Sequence, residues 1–323
     1  MRVLSGIQPT GTVHLGNYLG AIKSWVETQH DDAFYCVVDL HALTTDISPS
    51  DLTKKTMECA ATLFAAGLNP HRSSVFVQSQ VPFHTQLSWI LECVASFGEL
   101  RRMTQFKEKA DRQELHRVGL FTYPILMASD ILLYNSEHVP VGADQQQHLE
   151  LAREIAIRFN SRFGDTFTVP EGVIPTVAAR VMDLQNPLRK MSKSVASPLG
   201  TITIFDSPEE VTKKIKKAVT DTDAVVDFDW ETKPGLSNLL EILSACTGAA
   251  PADLAKKYTR YGDLKNDVSE AIIEELRPIQ TKFNILMNDT EELRRLLSLG
   301  SSRANEVASK TYERASAAVG LLR

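Results

Sequence analysis

Residues 33–78 read AFYCVVDLHALTTDISPSDLTKKTMECAATLFAAGLNPHRSSVFVQ. Two short apolar runs, AFYCVVD at 33–39 and SVFVQ at 74–78, flank a longer amphipathic segment at Ser50–Gly67. Runs this short, with little polar alternation, fit strands covered on both faces, and the segment between them has the length and period of a helix. Strand, helix and strand in that order form a βαβ unit with parallel pairing and a right-handed crossover. Working outward, Arg2–Ser5 predicts another strand, Leu15 to about Gln29 a helix, and about Phe83 the start of one more. The fold class expected is α/β: a doubly wound, Rossmann-like parallel sheet with its ligand site at the carboxyl ends of the strands.

The rest of the 323-residue chain is organised differently. A Pro/Gly-rich passage at about 162–200 leads into sequence that is almost wholly helical. Val268, Ile272, Leu276, Ile279, Phe283 and Leu286 recur at steps of three and four and so share one helix face, which Pro278 should kink. With 35 Lys+Arg against 40 Asp+Glu the net charge is −5, which excludes a general polyanion coat; nucleic-acid contact must come from local basic patches. No uncharged apolar stretch approaches the roughly 18 residues of a spanning helix. MRVLSG leads to Pro9 without the apolar core of a signal peptide, so a cytoplasmic protein is expected. Cys36, Cys59, Cys93 and Cys246 form no C-x-x-C pair, which predicts a reduced protein without structural zinc or disulfides. Cys36 and Cys93 sit in apolar runs and are expected to be buried.

Two segments carry chemistry. The first strand opens into SGIQPTGTVHLGN at 5–17, where glycines and Pro9 turn the chain into a helix start. Free N–H groups and the dipole of that helix favour phosphate, and His14 and Asn17 add side-chain donors; a plain connection with Thr12 as N-cap is the alternative. The loop is neither a Walker A loop nor a G-x-G-x-x-G fingerprint. The second segment, KMSKS at 190–194, offers two lysines three residues apart, suited to following negative charge onto a leaving phosphate, where the alternative is an exposed basic loop. Between them, residues 119–136 hold a single charged residue, Asp130. On a helix beginning near Pro124, Met127, Asp130 and Tyr134 fall on one face, with Tyr123 at its entrance. A carboxylate in apolar surroundings needs a partner, either a ligand or, on the plainer reading, an internal donor or a turn that it caps.

Together, HLGN at 14–17 and KMSKS at 190–194 resemble the two defining elements of class I aminoacyl-tRNA synthetases. GELRRMTQFKEK at 98–109, ASDILLYN at 128–135, VPVGADQQQHLEL at 139–151, AVTDTD at 218–223 and PGLSNLLEIL at 234–243 narrow the resemblance to the bacterial tryptophanyl-tRNA synthetases, over nearly the whole chain. That resemblance implies a catalytic domain at 1–185, a helical anticodon-recognition domain at 186–289, and a last segment at 290–323 that packs back on the catalytic domain. It implies attack of the tryptophan carboxylate on the α-phosphorus of ATP, then transfer of the acyl group to tRNA(Trp), in a homodimer that binds one tRNA across two subunits.

The same resemblance implies the site residues. Gln8, Pro9, Thr10, His14, Gly16, Asn17, Gly142, Ala143, Asp144, Val181, Met191, Ser192 and Ser194 would hold ATP, and Lys190, Lys193, Lys109 and Gln8 would serve the chemistry. Magnesium would bridge phosphate oxygens without a protein metal site. Asp130 would accept the indole N–H, with Leu4, His41, Tyr123, Met127, Val139 and Val141 around the ring and Gln145 on the ammonium. By sequence alone Asp144 and Gln147 also read as a capping box. Leu4, Ala143 and the VAS run at 195–197 depart from common family residues without removing a group the chemistry requires. Lys213–Lys217, Arg101–Arg102 and Lys107–Lys109 are the basic clusters available to tRNA. A tyrosine-specific synthetase, a non-catalytic tryptophan sensor or RNA-binding paralogue, and a small nucleotidyltransferase are the rivals. Asp130, the intact lysine loop and the helical second half weigh against them in turn.

Overall fold

β1 (Val3–Ile7), β2 (Ala33–Val37) and β3 (Ser74–Val77) form the centre and one side of a parallel sheet, in a computed structural model of the chain. It describes residues 2–103, 117–140, 145–173, 180–192, 198–223 and 225–322. Every residue of β2 and β3 is buried, which is why these runs are apolar without alternation. Two further short strands, β4 (His138–Pro140) and β5 (Glu171–Val173), complete the order β3-β2-β1-β4-β5, all parallel. The order reverses at β1, so a crevice opens between the carboxyl ends of β1 and β4, as expected for a doubly wound sheet.

The helices differ from expectation at informative places. The segment after β1 is α1 (Leu15–Asn17), a π-helical turn (Tyr18–Ile22) and α2 (Lys23–Thr28) in unbroken succession. α1 is capped by His14, not by Thr12: the His14 N–H donates to Asn17 Oδ1, and the Asn17 N–H donates to His14 Nδ1, each at 3.2 Å. β2 stops at Val37, and Asp39 starts a short α3 (Asp39–Ala42) that carries His41. α4 (Pro49–Ala66) is the crossover helix, opened by the Ser48 side chain on the Asp51 N–H. α5 (Phe83–Glu92) and α6 (Phe97–Arg101) follow β3.

α7 (Val118–Leu133) contains Pro124 in its second turn and does not start there. One backbone bond is lost, and a helix packed between α5 and α8 (Gln146–Phe163) retains its form through burial of its apolar surface. Gln145 stands at the N-cap of α8 without its side chain capping the helix; Asp144 lies outside the described residues. Cys36 is buried but Cys93 is exposed, because α5 buries His84, Leu87, Ser88 and Leu91, and Cys93 falls two residues beyond, on the opposite side. All four cysteines are free thiols.

Beyond residue 207 come α9 (Pro208–Lys216), α10 (Pro234–Thr247), α11 (Pro251–Ala255), α12 (Tyr261–Asn288) and α13 (Thr290–Ala318). α12 runs through Pro278 without ending. One core joins a sheet face and α4 to α9, α10 and α12; the other face packs on α5, α7, α8 and the alanines of α13. Gly300 of α13 crosses β3 so closely that a Cβ there would lie 1.9 Å from the Val75 carbonyl oxygen. No helix among the described residues is long and apolar enough to cross a membrane.

Candidate active site

A cavity of about 420 Å³ opens at the carboxyl end of the sheet. Leu4 and Gln8 reach it from β1 and its loop, His41 from α3, Tyr123, Met127 and Asp130 from α7, Val139 from β4, and Gln145 from the start of α8. Every described residue assigned above to the amino-acid pocket therefore lines one space; Val141 lies outside the described residues. Tyr123 is turned by a 2.8 Å bond between its hydroxyl and His148 Nε2, and burial raises its pKa.

The base of the cavity is the Asp130 carboxylate, 5% exposed. Its two oxygens have different surroundings. Oδ1 accepts from Gln78 Nε2 at 2.7 Å and from His84 Nδ1 at 2.6 Å, both fully buried side chains. Oδ2 accepts from His41 Nε2 at 2.8 Å, on the side of the cavity wall. Burial would push this carboxyl up, but the hydrogen bonds of His41 and His84 outweigh it and bring the pKa down to about 2. It is ionised at neutral pH. A carboxylate offers about four lone-pair positions; among the described residues three are taken, and the one left is on Oδ2. The internal-donor alternative for this residue holds, and the remaining position on Oδ2 is chemically suited to a ligand N–H.

Gln78 and His84 were not anticipated. Gln78 is the first residue after β3, at the carboxyl edge where ligand sites form, and its Oε1 accepts the Leu40 N–H. That position was the available signal for it; a lone histidine near a helix start offered none.

The other two sequence segments meet at the loop after β1. Pro9 and Thr10 form the loop after β1, and His14, Gly16 and Asn17 the helix start. With Nδ1 accepting the Asn17 N–H, a neutral His14 carries its proton on Nε2. Residues 200–204 run beside this loop: the Leu15 N–H donates to the Ile202 carbonyl at 2.8 Å, and His14 bridges Thr203. The lysine loop arrives from the same side. The Met191 N–H donates to the buried Val181 carbonyl, Lys190 bridges Met182, and the Thr201 hydroxyl donates to the Ser192 carbonyl. A Cβ on Gly16 would meet the His14 ring at 3.1 Å and Met191 Cβ at 3.4 Å, so the two sequence elements are in contact. Asn238 of α10 clamps Met182 through both its N–H and C=O, tying this support to the helical half. Lys190 is exposed. Lys109, Gly142, Ala143, Asp144, Lys193 and Ser194 lie outside the described residues.

The basic clusters are unequal. Lys214 is committed to an ion pair with Asp206, whereas Lys213, Lys216, Lys217, Arg101 and Arg102 are exposed. In the AVTDTD stretch Asp221 receives Lys233 Nζ at 3.0 Å and the Tyr261 hydroxyl, which outweigh burial and lower its pKa.

Residues 1–277 match the family model of tRNA synthetases class I (W and Y). The chain is 53% identical over 316 residues to the tryptophan–tRNA ligase of Corynebacterium glutamicum, covering 96% of this chain and 92% of that one. It is similar to the crystal structure of tryptophanyl-tRNA synthetase from Mycoplasma pneumoniae, with a TM-score of 0.91 at 36% identity over 99% and 98% of the chains. The enzyme from Campylobacter jejuni, complexed with ADP and tryptophan, gives 0.86 at 33% identity over 99% and 100%. A parallel sheet reversing at β1, the helix start after it, the lysine loop seated on that start and these full-length likenesses have one reading: the chain belongs to the class I tRNA synthetases of the tryptophan and tyrosine group, in their bacterial tryptophanyl branch.

Proposed function

We propose that the chain is a tryptophan–tRNA ligase: it activates tryptophan with ATP and passes the acyl group to tRNA(Trp), releasing AMP and pyrophosphate. The observation that carries this is the ionised Asp130, with one acceptor position unfilled among the described residues, on the wall of a largely apolar cavity continuous with Gln8. An indole N–H donates and cannot accept, and so matches that position. Leu4, Tyr123, Met127, Val139 and Val141 hold the ring, His41 lines the pocket beside Asp130, and Gln145 receives the ammonium. A phenol would be a poorer fit, since its oxygen also needs a donor on a wall where three donors already face the carboxylate.

No protein nucleophile is needed. The substrate carboxylate attacks the α-phosphorus in line, forming the acyl-phosphate bond as the bond to pyrophosphate breaks; the enzyme contributes position and charge. Gln8, Pro9, Thr10, His14, Gly16, Asn17 and Val181 hold the nucleotide from the β1 side, and Gly142, Ala143 and Asp144 from the β4 side. Lys190 and Lys193, with Met191, Ser192 and Ser194 shaping their loop and Lys109 opposite, stabilise the leaving pyrophosphate. Gln8, Thr10, His14 and Asn17 are uncharged donors and not carboxylates, which fits a magnesium ion that arrives on the triphosphate. When bound it neutralises phosphate charge.

Residues 186–289 recognise the anticodon, with Lys213, Lys216 and Lys217 as phosphate contacts, and residues 290–323 belong with the catalytic domain through α13 on β3. The enzyme is a cytoplasmic homodimer. Support for the second copy comes from Leu43, Trp89, Phe97 and Val118, 54–76% exposed, with Leu43 and Trp89 on one groove beside Thr122. The test is ATP-dependent charging of a tRNA(Trp) transcript with labelled tryptophan. Charging with tryptophan is expected; charging of tRNA(Tyr) with tyrosine instead would contradict the assignment.

A further inference from the structure

Behind Asp130, away from the cavity, His84 is fully buried between two partners. Its Nδ1 lies 2.6 Å from Asp130 Oδ1, and its Nε2 lies 2.9 Å from the Tyr134 hydroxyl. Tyr134 is itself fully buried, so its hydroxyl needs an acceptor, and His84 Nε2 is the one at hand. The tyrosine therefore donates to Nε2, which leaves the imidazole proton on Nδ1, pointing at the carboxylate. The Ser129 hydroxyl donates to the His84 carbonyl at 2.7 Å and fixes the backbone from the helix turn that carries Asp130. With Gln78 on the same oxygen, Oδ1 is saturated by scaffold donors and Oδ2 alone is directed toward His41 and the cavity wall.

We propose that His84, oriented by Tyr134, is a specificity-determining positioning residue, which turns the Asp130 carboxylate so that its one unfilled acceptor position faces the substrate N–H. This rests on the reading that Asp130 receives an indole N–H. His84 touches no substrate; it acts through the aspartate. Without it, Oδ1 would be a half-satisfied buried oxygen, free to rotate toward His41 and to take up a proton. The groups facing Asp130 are His41 from α3, His84 and Gln78 on the β3–α5 side, Cys36 from β2 and Tyr134 from its own helix end. Among the described residues only Gln78, already bonded there, is left to donate to Oδ1.

The test compares tryptophan with its benzothienyl analogue, in which sulfur replaces the indole N–H, in amino-acid-dependent pyrophosphate exchange. The wild-type ratio of kcat/KM for the two measures use of the acceptor position. His84→Leu is expected to lower that ratio about tenfold or more, with the ATP KM within about threefold, and to raise the acid limb of kcat/KM for tryptophan by a pH unit or more. His84→Asn, which can place an amide N–H near the Nδ1 position, should restore most of the ratio. Tyr134→Phe, a milder change that keeps the packing, should lower it about two- to fivefold. An unchanged ratio in both His84→Leu and Tyr134→Phe, or an Asn variant no better than Leu, would overturn the relay. Wild-type protein that uses both amino acids equally would instead overturn the indole reading beneath it.

Discussion

His84 Nδ1 and Asp130 Oδ1 stand 2.6 Å apart on the closed side of the pocket, while His41 Nε2 meets the other oxygen at 2.8 Å on the open side. The carboxylate is thereby held by the fold from behind, with its other oxygen facing the cavity. Desolvating such a charge costs more than one ordinary hydrogen bond returns, so the donors around it are a condition of its being charged at all.

That arrangement makes stability depend on pH with a definite sign. The Asp130 pKa is lowered from 3.8 to about 2, so its contribution is fully present above about pH 4 and is lost as pH falls toward 2. The shift corresponds to about 2 kcal/mol. In urea unfolding, wild type should exceed Asp130→Asn at pH 6, and the gap should narrow between pH 4 and 2.5. A gap constant over that range would mean that the carboxylate is not held ionised by its neighbours.

Gly16→Ala should raise the ATP KM about tenfold and leave the tryptophan KM within about twofold. The added methyl would press on the His14 ring at 3.1 Å and on Met191, disturbing the contact between the phosphate loop and the lysine loop. Steady-state exchange with each substrate varied in turn checks it, and a selective loss of tryptophan affinity would count against this placement.

Lys193→Ala should slow adenylate formation about a hundredfold or more while tryptophan binding changes little, because a leaving-group lysine acts on charge that appears only in the transition state. Single-turnover activation and equilibrium binding, measured on the same preparation, separate the two. Equal losses in both would remove Lys193 from that role.

Gly300→Ala, far from the pocket, should destabilise the protein by about 3 kcal/mol, since its Cβ would lie 1.9 Å from the Val75 carbonyl oxygen and α13 would have to lift from β3. A thermal scan is sufficient. An unchanged Tm would mean that α13 is free to shift.

The parts of this molecule that could be read beforehand are those with local signatures. β2 and β3 are uninterrupted apolar runs, and the crossover helix lies within one residue of its expected ends. Asp130 stood out as the one charge in an apolar stretch. The π-helical turn at Tyr18–Ile22 and the passage of α7 through Pro124 had no such signature, because both depend on packing by distant elements. His84 was invisible for the same reason: its partners Asp130 and Tyr134 lie 46 and 50 residues away. A histidine on an amphipathic helix looks alike whether it faces solvent or a buried carboxylate. Cys93 shows the converse, a thiol in an apolar run that the turn of the helix leaves exposed.

The most direct test of the central claim is pyrophosphate exchange into ATP without tRNA, comparing tryptophan, tyrosine and the Asp130→Asn protein. Exchange with tryptophan only, reduced about a hundredfold or more in kcat/KM by the substitution, is the expected result. Exchange supported by tyrosine, or by tryptophan equally well in the variant, would contradict the assignment of Asp130 and of the pocket around it.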